Sequence, residues 1–210
     1  MKRALGGFAV LACALAPGAR AQKIQVGGQV VFGDYREQTA SLHYTGAGPG
    51  AFVAFSRRKL SGDVAVARLS YDPASGSGAT QSFHATQIDV HLRWYLASSV
   101  SAELGWVRRT TSPEVAAQEM GAVRIGMHAF YGLGPGADLT LRANYLAGAK
   151  FSGGGSAPFG IELGLGVSYG ATNARWRLTG DYEFQRVDRK TSVPVPLQQS
   201  LARVGAALGF

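Results

Sequence analysis

The sequence predicts an all-β fold, a closed antiparallel up-and-down barrel that crosses a membrane with its strands. Three observations carry this. Segment after segment alternates apolar and polar residues with a period of two, the signature of a strand with two unlike faces. The last such segment ends the chain on a large apolar residue, Phe210, where a water-soluble domain usually frays. Only 16% of the residues are charged, low for a surface that meets water everywhere.

The first residues are set apart from the fold. Lys2-Arg3 is a basic start, Ala4 to Ala16 is apolar, Pro17-Gly18 breaks the run, and Ala19-Arg20-Ala21 offers an Ala-x-Ala cleavage site before Gln22. This pattern predicts a secretory signal peptide over residues 1–21, removed from a barrel domain over 22–210. A lipoprotein signal using Cys13 competes, but the bulky Leu11 fits it poorly. Cys13 is the only cysteine, so a mature chain has neither a disulfide nor a thiolate site. Formal charge is +8, and loss of Lys2, Arg3 and Arg20 leaves +5. For an exported chain that balance points to an anionic lipid surface, not to nucleic acid.

Taken in order, the first third is the least regular. Ile24–Gly33 alternates, with Val26, Val30 and Phe32 against Gln25, Gln29 and Val31. Asp34–Lys59 holds Gly46-Ala-Gly-Pro-Gly50 and an apolar stretch, and Ala51–Arg57 is its best strand candidate. Leu60–Tyr71 alternates again, with Ala65, Ala67, Leu69 and Tyr71 taken as the lipid row. From there the pattern is clear. Strands are expected over Ser82–Leu96, Val100–Arg109, Gln118–Tyr131, Ala137–Lys150, Phe159–Tyr169, Ala174–Arg186 and Ser200–Phe210. Segments of about ten or more residues suit a tilted crossing. Short links alternate with longer polar ones at Thr110–Ala117, Ser152–Pro158 and Val187–Pro196, as short inner turns alternate with longer outer loops. The count gives ten strands. Eight follow if residues 22–59 stay outside the wall.

Closure is a physical requirement. In lipid each unpaired backbone group costs several kcal/mol, so the sheet cannot keep a free edge. The signal peptide, the alternating strands and the closing row Val204, Ala206, Leu208 and Phe210 resemble the small bacterial outer-membrane barrels of the OmpA and opacity type. That resemblance implies an outer-membrane location. It also implies that the terminal aromatic row is read by the barrel assembly machinery during biogenesis.

The faces carry the functional expectations. On the lipid face, Trp94, Tyr131, Tyr169 and Trp176 would form one aromatic girdle with Phe210, and Tyr71, Trp106, Phe159 and Phe184 the other. On the lumen face, Asp89, Glu103, Glu162, Asp181 and Glu183 meet Arg93, Arg124, Arg142, Arg175, Arg177 and Arg203, with His91 beside them. A barrel of this size can be filled by its own side chains, so a paired polar network that plugs the lumen is expected. The alternative is a narrow channel, in which an excess of arginine would favour small anions. Arg36, Arg108, Arg109, Lys150, Arg186, Arg189 and Lys190 gather near the outer ends, where lipopolysaccharide phosphates would meet them.

Enzyme signatures are absent from the strand faces. Around the four histidines the sequence has His43-Tyr-Thr45, His84-Ala-Thr86, His91-Leu-Arg93 and His128-Ala-Phe130, none of which is the His-x-Ser of a lipid A deacylase. The histidines lack metal-ligand spacing, and glycines 132, 134, 136 and 153–155 precede no helix that could cradle a phosphate. The expectation is a monomeric, non-enzymatic barrel without cofactor or metal. Its role would be structural or at the cell surface, with outer-membrane lipid and lipopolysaccharide as partners. A lipid-modifying enzyme is the remaining alternative. The chain stops at Phe210, and no further domain is expected after the barrel.

Overall fold

A computed structural model describes residues 22–114, 118–170, 175–190 and 194–210. The proposed signal peptide and Cys13 lie outside the described residues. Ten strands follow in chain order: β1 Gln22–Glu37, β2 Leu42–Arg57, β3 Leu60–Pro73, β4 Phe83–Tyr95, β5 Val100–Ser112, β6 Met120–Gly134, β7 Ala137–Phe151, β8 Ser156–Tyr169, β9 Trp176–Lys190 and β10 Pro194–Gly209. Each pairs antiparallel with its chain neighbours, and β1 pairs with β10 to close the barrel. No described helix is long and apolar enough to cross a membrane.

The register fixes the tilt. From Ile24 the ladder passes through Phe55, Gly62, Leu92, Leu104, Ile125 and Tyr145. It continues through Ile161, Arg186 and Gln198 and returns to β1 at Arg36, twelve residues beyond its start. A ten-stranded sheet with that stagger tilts its strands by about 40° and encloses a lumen that side chains can fill.

The seam is completed by the terminal residue. Phe210 donates its N–H to the Ile24 carbonyl at 2.8 Å, and the Ile24 N–H reaches the Phe210 carbonyl at 3.3 Å. Val204, Leu208 and Phe210 are exposed on the outer wall, while Leu201, Arg203 and Ala207 are buried. The wall is apolar nearly all round, with Val30, Val64, Leu104, Ile125, Leu163 and Leu178 among its exposed residues. Trp94, Tyr131, Tyr169, Trp176 and Phe210 are exposed at the end that holds both termini. Trp106, Phe159 and Phe184 face outward further along the wall.

Three expectations are corrected by this geometry. β3 has the opposite phase. Val64 and Val66 face outward with Arg68 and Ser70, whereas Ala67, Leu69 and Tyr71 are buried in the lumen, so Tyr71 belongs to no girdle. The lumen row is the more apolar of the two here, and the rule that the apolar row meets lipid fails. The segment Asp34–Lys59 is strand almost throughout. β1 reaches Glu37, a four-residue turn follows, and β2 begins at Leu42 instead of Ala51. Its Gly-Ala-Gly-Pro-Gly run lies in the wall, where a Cβ on Gly48 would overlap the Arg68 carbonyl. The ladder to β3 skips from Ala47 to Gly50 around Pro49, which has no N–H to donate. The long outer links also shrink, because β5 continues to Ser112, β8 starts at Ser156, β9 runs to Lys190 and β10 starts at Pro194.

Candidate functional site: the barrel lumen

Period-two alternation on tilted strands points every second side chain inward, so the lumen contents are set by the inward rows. These rows build three layers.

The central layer is ionic. Arg124 is fully buried; its Nε donates to Glu162 Oε2 and its Nη2 to Asp89 Oδ1, both at 2.6 Å. Its Nη1 reaches the Trp106 carbonyl at 3.2 Å and faces His91 Nε2 at 3.5 Å. His91 Nδ1 lies 3.1 Å from Glu103 Oε1. Arg142 lies 3.0 Å from both Glu162 and Glu183. Arg203 donates to Asp181 at 2.5 Å and Glu183 at 3.0 Å, and reaches Asp89 at 3.4 Å. Arg93 joins Glu103 at 2.7 Å to Asp63 at 2.6 Å.

Neutral groups complete this layer. Asn144 donates to Glu103 and Glu162, Gln185 to Glu162 and Glu183, and Gln87 to Asp89. Charge-assisted hydrogen bonds of this kind are the strong ones, and buried charge survives only when it is so matched.

The layer unites ten of the twelve lumen residues singled out from the sequence. Arg175 lies outside it, exposed just before β9. Arg177 stands apart, paired with Asp138 near the end that holds the termini. Asp63, Gln87, Asn144 and Gln185 are members that sequence reasoning passed over. Gln87, Asn144 and Gln185 share the alternation of Asp89, Arg142 and Glu183, but neutral side chains among so many charges give no separate signal. Asp63 was hidden by the inverted phase of β3. Among the described residues, four arginines here meet six carboxylates, so the layer has no excess of positive charge.

Beyond this layer, away from the termini, the lumen turns apolar. Arg109 is buried, contrary to its expected place among the basic residues at the outer ends. Its guanidinium donates to Gln87 at 3.4 Å and Gln185 at 3.3 Å and lies 6.0 Å from the Tyr35 ring centre. Gln199 links Gln87 to the Tyr71 hydroxyl. Next comes an aromatic group in which Tyr71 stacks on Phe83 at 4.9 Å and Tyr44 meets Phe83 edge-on at 5.1 Å. Leu69, Leu146, Leu197, Leu201, Val31 and Val187 pack with these rings. No sequence signal separated this inner core from a lipid-facing row.

On the other side, towards the termini, a cavity of about 300 Å³ remains. Phe52, Asp63, His128, Thr140, Asp181 and Arg203 contribute to its wall. His128 Nδ1 and Gln29 Nε2 are buried there without a protein partner. Among the described residues, no group of three or more His, Cys, Asp or Glu side chains is placed to hold a metal ion.

No family model matches the chain, and no curated protein matches it. Solved structures do. The outer membrane protease OmpT from Escherichia coli aligns at a TM-score of 0.52 with 9% identity, over 90% of this chain and 96% of that one. Neisserial surface protein A aligns at 0.47 with 13% identity, over 89% of this chain and 97% of that one. Ail, the attachment invasion locus protein of Yersinia pestis, aligns at 0.42 with 8% identity, over 91% of this chain and all of its own. At such identities the likeness is one of fold, the closed barrel of outer-membrane proteins.

Proposed function

We propose that this chain is a non-enzymatic outer-membrane β-barrel with an occluded lumen, acting as a structural or surface-interaction protein. The observation that carries the reading is the succession of two filled layers, the ion-paired layer around Arg124 and the aromatic core around Tyr71 and Phe83. A permeant solute would have to strip buried carboxylates of their cations and then displace packed rings. Export by the signal peptide would bring the chain to the outer membrane, where the assembly machinery would engage the terminal strand. Outer-membrane lipid and lipopolysaccharide would then surround a monomer.

The apolar wall supports the membrane placement. It is bounded at one end by exposed aromatic residues, and Arg36, Arg108, Lys150 and Lys190 are exposed towards the other. One structural neighbour is a protease, and buried His91 does not resemble a free base. Its Nδ1 is engaged by Glu103 and its Nε2 faces the Arg124 guanidinium.

Planar-bilayer recording of purified, refolded protein tests the occlusion. The expected trace has no steady openings; large stable openings would overturn it. Lipid A mass before and after incubation tests the enzyme alternative, with no change expected.

A second reading, a narrow gated channel, draws on the cavity, which reaches Asp89 and Glu183 of the ionic layer from the side of the termini. It needs both layers to move. Anion preference has no basis in a layer where carboxylates outnumber arginines.

A further inference from the structure

The inverted phase of β3 changes what the outer wall presents. Arg68 sits between Ala67 and Leu69, which are buried, and is itself exposed on the wall. Arg108 sits between buried Val107 and Arg109 and is likewise exposed. In the ladder Arg68 pairs with Thr86 and Arg108 with Ile88, so the two arginines flank β4 at nearly one level. Their Cα atoms are two strand spacings apart, roughly 10 Å, a gap that two long guanidinium side chains can close around one anion.

The neighbours sort by height. On the side of the termini, the outward row holds Val66, Val90 and Trp106. On the other side stand Ser70 and His84, hydrogen-bonded to each other at 2.9 Å, with Thr110 on β5. Other outward arginines of this zone already have carboxylates: Arg36 holds Asp34 at 2.8 Å, and Arg186 holds Asp188 at 3.3 Å. Neither Arg68 nor Arg108 forms an ion pair among the described residues.

We propose that Arg68 and Arg108 form an external site for the phosphate of an outer-leaflet lipid headgroup. The acyl chains would lie along Val66, Val90 and Trp106, and the headgroup hydroxyls would meet Ser70, His84 and Thr110. Two unpaired guanidiniums at the border of an apolar belt suit this ligand. Arginine matches phosphate with paired, charge-assisted hydrogen bonds, and the low dielectric of the interface strengthens them. The site rests on the outer-membrane reading above and gives its lipid contact a specific address.

Native mass spectrometry of refolded protein in detergent, titrated with bisphosphoryl lipid A, tests it. Wild-type protein should bind at least one lipid A, and the dephosphorylated glycolipid should bind about tenfold more weakly, as loss of two charge-assisted hydrogen bonds implies. Inorganic phosphate should not displace the lipid. R68Q/R108Q should lose about tenfold in adduct formation, while R57Q, which removes an exposed arginine at the end that holds the termini, should not. If the double variant folds poorly, R68Q and R108Q alone should each lose about threefold. Unchanged adducts in folded R68Q/R108Q, equal binding of the dephosphorylated lipid, or displacement by inorganic phosphate would overturn the site. Wild-type protein that fails to fold into bilayers would instead sink the outer-membrane reading.

Discussion

Arg124 and Glu162 meet at 2.6 Å in the centre of the barrel, and neither side chain has any solvent exposure. They come from strands two apart, β6 and β8, so their contact spans the sheet as well as the lumen. Arg124 also holds Asp89, and Arg142 on the intervening β7 reaches the other carboxylate oxygen of Glu162. The layer is therefore a set of shared charges, and removal of one member leaves others unmatched.

Arg124→Met should accordingly be costly. It keeps an apolar stem but leaves Asp89 and Glu162 short of a cation. Breaking a buried pair in this way costs about 3–5 kcal/mol. Guanidinium unfolding of the refolded barrel should show a large fall in midpoint. Glu162→Gln should cost less, since an amide still accepts a hydrogen bond from Arg124. Equal stability of Arg124→Met and wild type would mean that the layer is solvated.

Deletion of Phe210 should impair assembly. The residue closes the β1–β10 seam through two backbone hydrogen bonds with Ile24, and its side chain is the most exposed large apolar group on the wall. Loss of a backbone pair in lipid costs several kcal/mol, and loss of the ring removes the terminal aromatic that the assembly machinery is expected to read. Heat-modifiable mobility of membrane fractions should show less folded barrel for the deletion. Normal insertion would count against the assembly role of Phe210.

The phase of β3 can be tested directly, and it marks where sequence reading ran out. The fold was legible because nine alternating rows and their turns follow from backbone period, and a tenth strand between the first two completes an even count. The charged lumen was legible because Asp89, Glu103, Arg124 and Glu162 interrupt apolar rows. On β3 both rows are apolar enough for lipid, so Ala65, Ala67, Leu69 and Tyr71 looked like the wall. The tiebreaker was Arg68, which lies among lumen charges by one phase and at the lipid border by the other. Gly46–Gly50 failed as strand evidence for a related reason: small residues there answer close backbone neighbours, a tertiary fact. Single cysteines carrying a polarity-sensitive dye should be quenched by brominated lipid at Val64→Cys and Val66→Cys but not at Ala67→Cys. The opposite pattern would restore the other phase.

Occlusion by two layers in series makes a graded prediction for conductance. Arg203→Ala enlarges the cavity and removes a cation from Asp181 and Glu183, yet Tyr71, Phe83 and Leu69 still fill the lumen beyond. Stability should fall, by less than for Arg124→Met because Arg203 borders the cavity, and planar-bilayer traces should stay closed. Tyr71→Ala/Phe83→Ala empties the aromatic layer, at about 3–5 kcal/mol for each ring, but leaves the ionic layer complete, Arg203 included. It too should stay closed. Only the triple variant with Arg203→Ala removes material from both layers, and it alone should show unitary openings. Steady openings from either partial variant would mean that a single layer closes the lumen.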